Sequence, residues 1–200
     1  NKFKYTSVAS GNPGDITGFT VSATNLPLNH TIADNHANHT GHSQTVTYTI
    51  IPVSPTGCAD GPPQVVIVTV NPTPRIFPVP VSSIQCDKTL TNILLQSPST
   101  FTSGVIRFKY TSVVSGLPGD ITGFTVSATN LPLNHIIADN LVNHTDQPQT
   151  VTYTIIPVSP TGCADGPSQV VVVTVNPTPR IFPVPVSSIQ CDKTLTNILL

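Results

Sequence analysis

Cysteine is the residue type in this 200-residue chain with the widest choice of chemistry, and it occurs four times, as Cys58, Cys86, Cys163 and Cys191. No Cys-x-x-Cys pair is present, so the usual zinc spacing is missing and disulfide cross-linking is the expected use of all four. His36, His39 and His42 recur every three residues after Asp34, a spacing that could gather a metal ion. The positions 105 residues later are Leu141, His144 and Gln147, so the trio is not a property of a repeated unit and no metal site is expected. Asp15 and Asp120 stand in Pro-Gly-Asp-Ile-Thr-Gly, and Asp60 and Asp165 in Cys-Ala-Asp-Gly. Each is a lone carboxylate in a turn, where aspartate serves the backbone more often than calcium. Lys4 and Lys109 lie in apolar strands, where an isopeptide cross-link to asparagine is conceivable and a solvent-facing lysine is the ordinary outcome. Asn29, Asn38 and Asn143 each open an Asn-x-Thr glycosylation pattern, expected by chance in a chain rich in both residues. No Ser, His and Asp set surrounds a nucleophile elbow, no glycine-rich loop is placed to cradle phosphate, and nine scattered Asp are the only carboxylates. Neither catalysis nor a cofactor is expected.

The elements that must carry these residues come in two copies. Tyr5 recurs as Tyr110, Cys58 as Cys163 and Cys86 as Cys191, each 105 positions on, and residues 1–95 differ from 106–200 at only 12 positions. The differences gather in loop-like stretches such as His36-Ala37 against Leu141-Val142. A period near 100 residues is that of an independent sandwich domain, whereas solenoid repeats are shorter and cannot fold alone. Residues 1–75 therefore form a module lacking its first two strands, 76–179 a complete module, and 180–200 the first strands of a following one. Two copies of Asn-Pro-Thr-Pro-Arg-Ile-Phe-Pro-Val-Pro, at Asn71 to Pro80 and Asn176 to Pro185, read as a stiff linker plus edge strand.

Val, Thr, Ile and Pro dominate while Glu, Met and Trp are absent, which points to an all-β chain. Strand signals fall at Thr89–Gln96, Val105–Val114, Gly123–Thr129, weakly near His135–Leu141, then Thr150–Val158 and Gln169–Val175, after a first strand near Ile76–Ser83. Alternation in the fifth of these puts Val151, Tyr153 and Ile155 on one buried face. About seven short strands per module predict a tandem immunoglobulin-like β-sandwich. Net charge is −1, with no basic field for nucleic acid, and no apolar run spans a bilayer, so no membrane insertion is expected. No leader opens the chain and no Met begins it, so it reads as a piece of something longer.

Thr91-Asn92-Ile93-Leu94-Leu95, Val151 to Pro157, Thr161-Gly162-Cys163 and Val170 to Val175 followed by Asn176-Pro177-Thr178-Pro179 together resemble the PKD-like repeats of very large surface proteins of Bacteroidota, gliding-motility adhesins among them. Tyr110 stands where that family often has Trp. The resemblance implies type IX export, an extracellular or cell-surface location and a role in adhesion, motility or fibre building.

In such a sandwich Cys86 lies between the first two strands and Cys163 between the last two, at opposite ends, too far apart for a bond within one module. Bonds between modules are then expected, with Cys86–Cys163 as the alternative if strand order differs. Residues 1–75 and 177–200 are complementary, as expected either of a window on a longer repetitive chain or of head-to-tail strand donation between subunits. Under strand donation the bonds become Cys86 to Cys58, and Cys191 to Cys163, of the following subunit. The expected function is a non-catalytic stalk or fibre assembled by self-association. The alternative is an adhesion module that binds glycans or surfaces through the variable loops Ile32 to Ser43 and Ile137 to Pro148.

Overall fold

The structure is a computed structural model that describes residues 2–77, 82–181, 189, 191–193 and 195. Strands are the only regular element among the described residues. The first module contains β1 (Lys2–Ala9), β2 (Ile16–Thr17), β3 (Ser22–Pro27), β4 (Ala37–Asn38), β5 (Gln44–Val53) and β6 (Gln64–Val70). The second contains β7 (Ser82–Cys86), β8 (Thr89–Leu90), β9 (Ile93–Leu94), β10 (Arg107–Val114), β11 (Ile121–Thr122), β12 (Ser127–Leu131), β13 (Ile136–Ile137), β14 (Asn140–Asn143), β15 (Gln149–Val158) and β16 (Gln169–Asn176).

In the second module β12-β10-β15-β16-β7 form one five-stranded sheet. The facing layer is pieced together from β11-β14-β8 and β13-β9. Thr and apolar residues alternate along β15, so Val151, Tyr153 and Ile155 all turn inward and are fully buried, as their period-two spacing predicts. They meet Val171, Val173 and Val175 of β16 and, from the facing layer, Ile93, Leu95, Ile121, Ile137 and Leu141. Two inner faces thus close over one core, the arrangement of an immunoglobulin-like sandwich.

The first strand differs from expectation. It is β7 at Ser82–Cys86, later than Ile76–Ser83, and it pairs in parallel with β16, Asn176 opposite Cys86; residues 78–81 lie outside the described residues. The Thr89–Gln96 strand is split, because Asn92 adopts φ 52, a left-handed turn that Asn tolerates, which ends β8 and starts β9. The facing layer is therefore more fragmented than seven strands imply. Residues 180–200, read as the start of a following module, lie mostly outside the described residues.

The first module repeats the sheet as β3-β1-β5-β6 with β2-β4 beside it, and has no counterpart of β7, β8 or β9 among the described residues. Its core shrinks accordingly to Tyr5, Ile16, Val46 and Tyr48. Val171 is 2% exposed in the second module, whereas its counterpart Val66 is 43% exposed.

Candidate functional site

Two regions carry the functional content, the joint between modules and the uncovered face of the first. At the joint the Gly41 to Ser43 loop and the end of β6 meet the second module. Thr100 N–H donates to Gly41 O at 2.8 Å, and the Thr100 hydroxyl lies 2.6 Å from His42 Nδ1. Thr102 N–H donates to Ser43 Oγ at 2.9 Å, Ser43 Oγ donates to Asn71 Oδ1 at 2.7 Å, and Asn71 Nδ2 reaches Thr161 Oγ1 at 3.2 Å.

The proline linker is packed into this joint. Pro72 and Pro74 are buried, Arg75 N–H donates to Ser99 Oγ at 2.9 Å, and Phe77 N–H donates to Gln96 O at 2.9 Å. Gly166 allows the closest approach. A Cβ there would stand 1.9 Å from Pro74 O, so only glycine lets the last loop of the second module lie against the linker. At the far end of the second module the matching prolines are less covered, with Pro177 half-buried and Pro179 exposed. They border, with Asp146, Gln147 and Arg180, an open cleft of about 510 Å³.

The cysteines are ordered along this axis. Cys86 sits beside Asn176 at one end of the five-stranded sheet, while Cys163 lies in the β15–β16 loop beyond Gln169 at the other. The seven steps from Gln169 to Asn176 along β16, at ~3.3 Å each, separate those ends by about 20 Å, which rules out a Cys86–Cys163 bond within one module. Cys163 is at the joint, Cys58 occupies the corresponding loop at the outer end of the first module, and the Cys58, Cys86 and Cys163 side chains are exposed. Cys191 is also exposed.

The uncovered face is a cleft of about 180 Å³ lined by Ile32, Asp34, His36, Tyr48, Ile50, Val66 and Val68. That is small for an organic ligand, whose sites run from roughly 300 Å³ upward. Tyr48 donates its hydroxyl proton to Asp34 Oδ2 at 2.6 Å, and Asp34 also accepts from Thr20 N–H at 3.0 Å and Thr20 Oγ1 at 2.8 Å. Since Tyr48 has one proton and gives it to Asp34, the His36 ring donates through Nε2 to the Tyr48 oxygen at 2.8 Å. Burial, reinforced by the Asp34 carboxylate, pushes the Tyr48 hydroxyl far above the usual tyrosine range. Burial works against the Asp34 carboxylate, but the Tyr48 and Thr20 hydrogen bonds outweigh it and hold that group below the usual range. A tyrosine this reluctant to ionise is a structural donor, and the same pair recurs as Tyr153 and Asp139 in the closed core.

The remaining sequence candidates separate. His36 turns to Tyr48, His39 Nε2 to Thr17 Oγ1 at 2.9 Å and His42 to Thr100, so the trio does not converge. No group of three or more His, Cys, Asp or Glu that could hold a metal occurs among the described residues. Asp15 and Asp120 accept from the backbone of Asn12 at 2.8 Å and Leu117 at 2.7 Å, closing their turns. Lys4 pairs with Asp60 at 2.7 Å and Lys109 with Asp165 at 2.8 Å, which occupies both the lysines and the second set of aspartates. Asn143 is buried and donates to Gln147 O and Val175 O at 2.8 and 2.9 Å, so its amide is not available to a glycan. The Asp–Tyr pair was missed by sequence reasoning. Its signal was the persistence of Asp34 and Asp139 in both copies beside positions 36 and 37, which differ.

The PKD-like domain family matches residues 2–74 and again 85–179. The chain belongs to the PKD-like domain family, as two tandem copies of an immunoglobulin-type module. No curated protein matches it. PKD-like domains are typically extracellular, are generally non-catalytic and serve as structural or adhesion modules. No helix among the described residues is long and apolar enough to cross a membrane.

Proposed function

We infer that the chain is a non-catalytic, load-bearing piece of an extracellular stalk or fibre in which like modules stack end to end. The observation that carries this reading is the joint itself. Pro72 and Pro74 are buried in it, Gly166 admits the Pro74 carbonyl at a distance no other residue permits, and side chains from both modules bridge it. A joint that is packed and proline-stiffened holds its angle, whereas hinged modules are linked by exposed flexible segments.

The positions of the thiols support covalent reinforcement between neighbours. Stacking a further copy in the same way brings its Cys58 loop to the end of the second module that bears Cys86. Loss of two protons and two electrons to an extracellular oxidant such as dioxygen would join them. Glycan binding through the variable loops gains no support, because Gly41 to Ser43 belong to the joint and Ile32 to His36 border the apolar cleft. Electron microscopy of arrays of four or more modules tests the stalk reading. Straight rods of constant module spacing are expected, and freely bent strings would refute it.

A further inference from the structure

The second module hangs between two covalent connections, and the strands nearest to them lie side by side. The chain enters from the joint through Pro72 to Phe77 and then β7, and it leaves from β16 through Pro177. β7 runs parallel to β16 with five consecutive residues in register, from Ser82 opposite Val172 to Cys86 opposite Asn176. The two connections therefore meet this pair at opposite ends, the entering chain at Ser82 and the leaving chain at Asn176. An antiparallel pair would have brought both to one end. β7 buries little of its own, since Ser82, Ile84 and Cys86 are exposed. Its hold on the module is the ladder to β16 rather than packing.

A pull along the chain draws β7 toward the joint and β16 toward the exit, so the two strands must slide past one another. The evenly spaced backbone bonds of the parallel ladder are then strained together, and the load is shared by the whole set. Drawing the same strands apart from one end would open those bonds singly, at a lower load. Sliding would also drag Val171, Val173 and Val175 of β16 from core sites in which each is buried. Both ends of the pair are tied down. At the entry Arg75 N–H donates to Ser99 Oγ at 2.9 Å, and Phe77 N–H donates to Gln96 O at 2.9 Å. At the exit Asp87 gathers three elements. Its N–H donates to Asn176 O at 3.1 Å, while its carboxylate accepts from Asn143 N–H and from the Thr178 hydroxyl, each at 2.8 Å. Thr178 belongs to the leaving segment itself, so tension on that segment is passed to the end of β7 as well as to β16.

We propose that β7 and β16 form a tension clamp, a pair loaded in shear that makes the second module much harder to pull open along the chain than in other directions. The clamp rests on the stalk reading for the tension it resists. The two fail separately, the stalk on bending in electron micrographs and the clamp on the direction dependence of rupture.

Single-molecule force spectroscopy of the full chain in two pulling geometries tests this. Replacing the exposed Cys58, Cys86 and Cys191 by Ser leaves Cys163 as the one thiol handle. Cys163 lies in the β15–β16 loop beyond Gln169, at the same end of the pair as Ser82. Pulling between the two chain ends shears β7 against β16, whereas pulling between the N-terminus and Cys163 draws them apart from that end. The second module, recognised by the longer stretch of chain it releases, should rupture at a force at least about twofold higher in the first geometry. Alternate residues of an edge strand turn their N–H groups toward its neighbour, so one of Ser83→Pro and Ile84→Pro removes a ladder bond and the other does not. One of these two variants should lower the end-to-end force and leave the Cys163 value in place. Equal rupture forces in the two geometries, an end-to-end force untouched by both prolines, or a fall of the same size in both geometries would each overturn the clamp.

Discussion

Tyr153 donates its hydroxyl proton to Asp139 Oδ2 at 2.7 Å inside the closed second module, and Asp139 in turn anchors Thr125 through both its backbone N–H and its hydroxyl. One side chain on the five-stranded sheet is thereby tied to a carboxylate in the facing layer, and the Asp139 backbone N–H also holds the β8–β9 segment by donating to the Thr91 hydroxyl. Tyr153→Phe keeps the ring in place but leaves the carboxylate short of a donor. A loss of about 1–3 kcal/mol is expected for the second module, read by denaturant unfolding.

The pH profile of stability should fall at both extremes. Hydrogen bonding from Lys109 to Asp165, and from the Asn143 backbone to Asp87, depress both carboxylates in the folded state. Asp34 is likewise depressed, its hydrogen bonds overcoming burial. A depressed acid contributes stability above its unfolded value, about 3.9, and loses that contribution as pH drops through its folded value. Burial, with Asp139, raises Tyr153. That contribution is intact below an unfolded value of about 10 and is lost as pH climbs beyond it. Thermal unfolding between pH 2 and 11 should show a plateau with both shoulders, and Tyr153→Phe should flatten the alkaline one.

Unfolding should proceed in two steps, the open first module before the closed second. Leu95→Ala removes a fully buried side chain from the second core, at a cost of about 2–5 kcal/mol. Calorimetry should show the upper transition falling by about 8 °C or more, on the scale of about 4–8 °C per kcal/mol for a domain of this size, while the lower one stays in place.

The ion pairs should matter far less. Lys109 and Asp165 side chains are 41% and 32% exposed, and such partly solvated pairs contribute roughly 0–1 kcal/mol. Lys109→Ala should change stability by less than about 1 kcal/mol, and intact mass should equal the sequence mass, since aspartate rather than asparagine faces the lysine.

Oxidation should yield a ladder of covalent multimers on non-reducing gels if Cys86 of one copy meets Cys58 of the next. Cys58→Ser should remove that linkage and reductant should collapse it; a ladder untouched by Cys58→Ser would contradict the pairing.

The long strands β10 and β15 were legible in the sequence because they carry a period-two signal, as Thr150 to Ile155 illustrate. The facing layer was not, since two-residue pieces such as β11 and β13 are too short to show any period. β7 was misplaced for a related reason: its partner β16 is 90 residues away and parallel, and no local pattern encodes such a pairing. The separation of Cys86 from Cys163 followed correctly from strand order alone. The joint was foreshadowed only by its prolines. That positions 41 to 43 face the neighbouring module required the coordinates.

Small-angle X-ray scattering of the chain, alone and with Gly166→Ala added, measures whether two modules keep one relative orientation. A packed joint predicts a single narrow distance distribution for the first protein and a broadened one once a methyl group is forced against Pro74 O. A distribution already broad with Gly166 in place would contradict the rigid stalk.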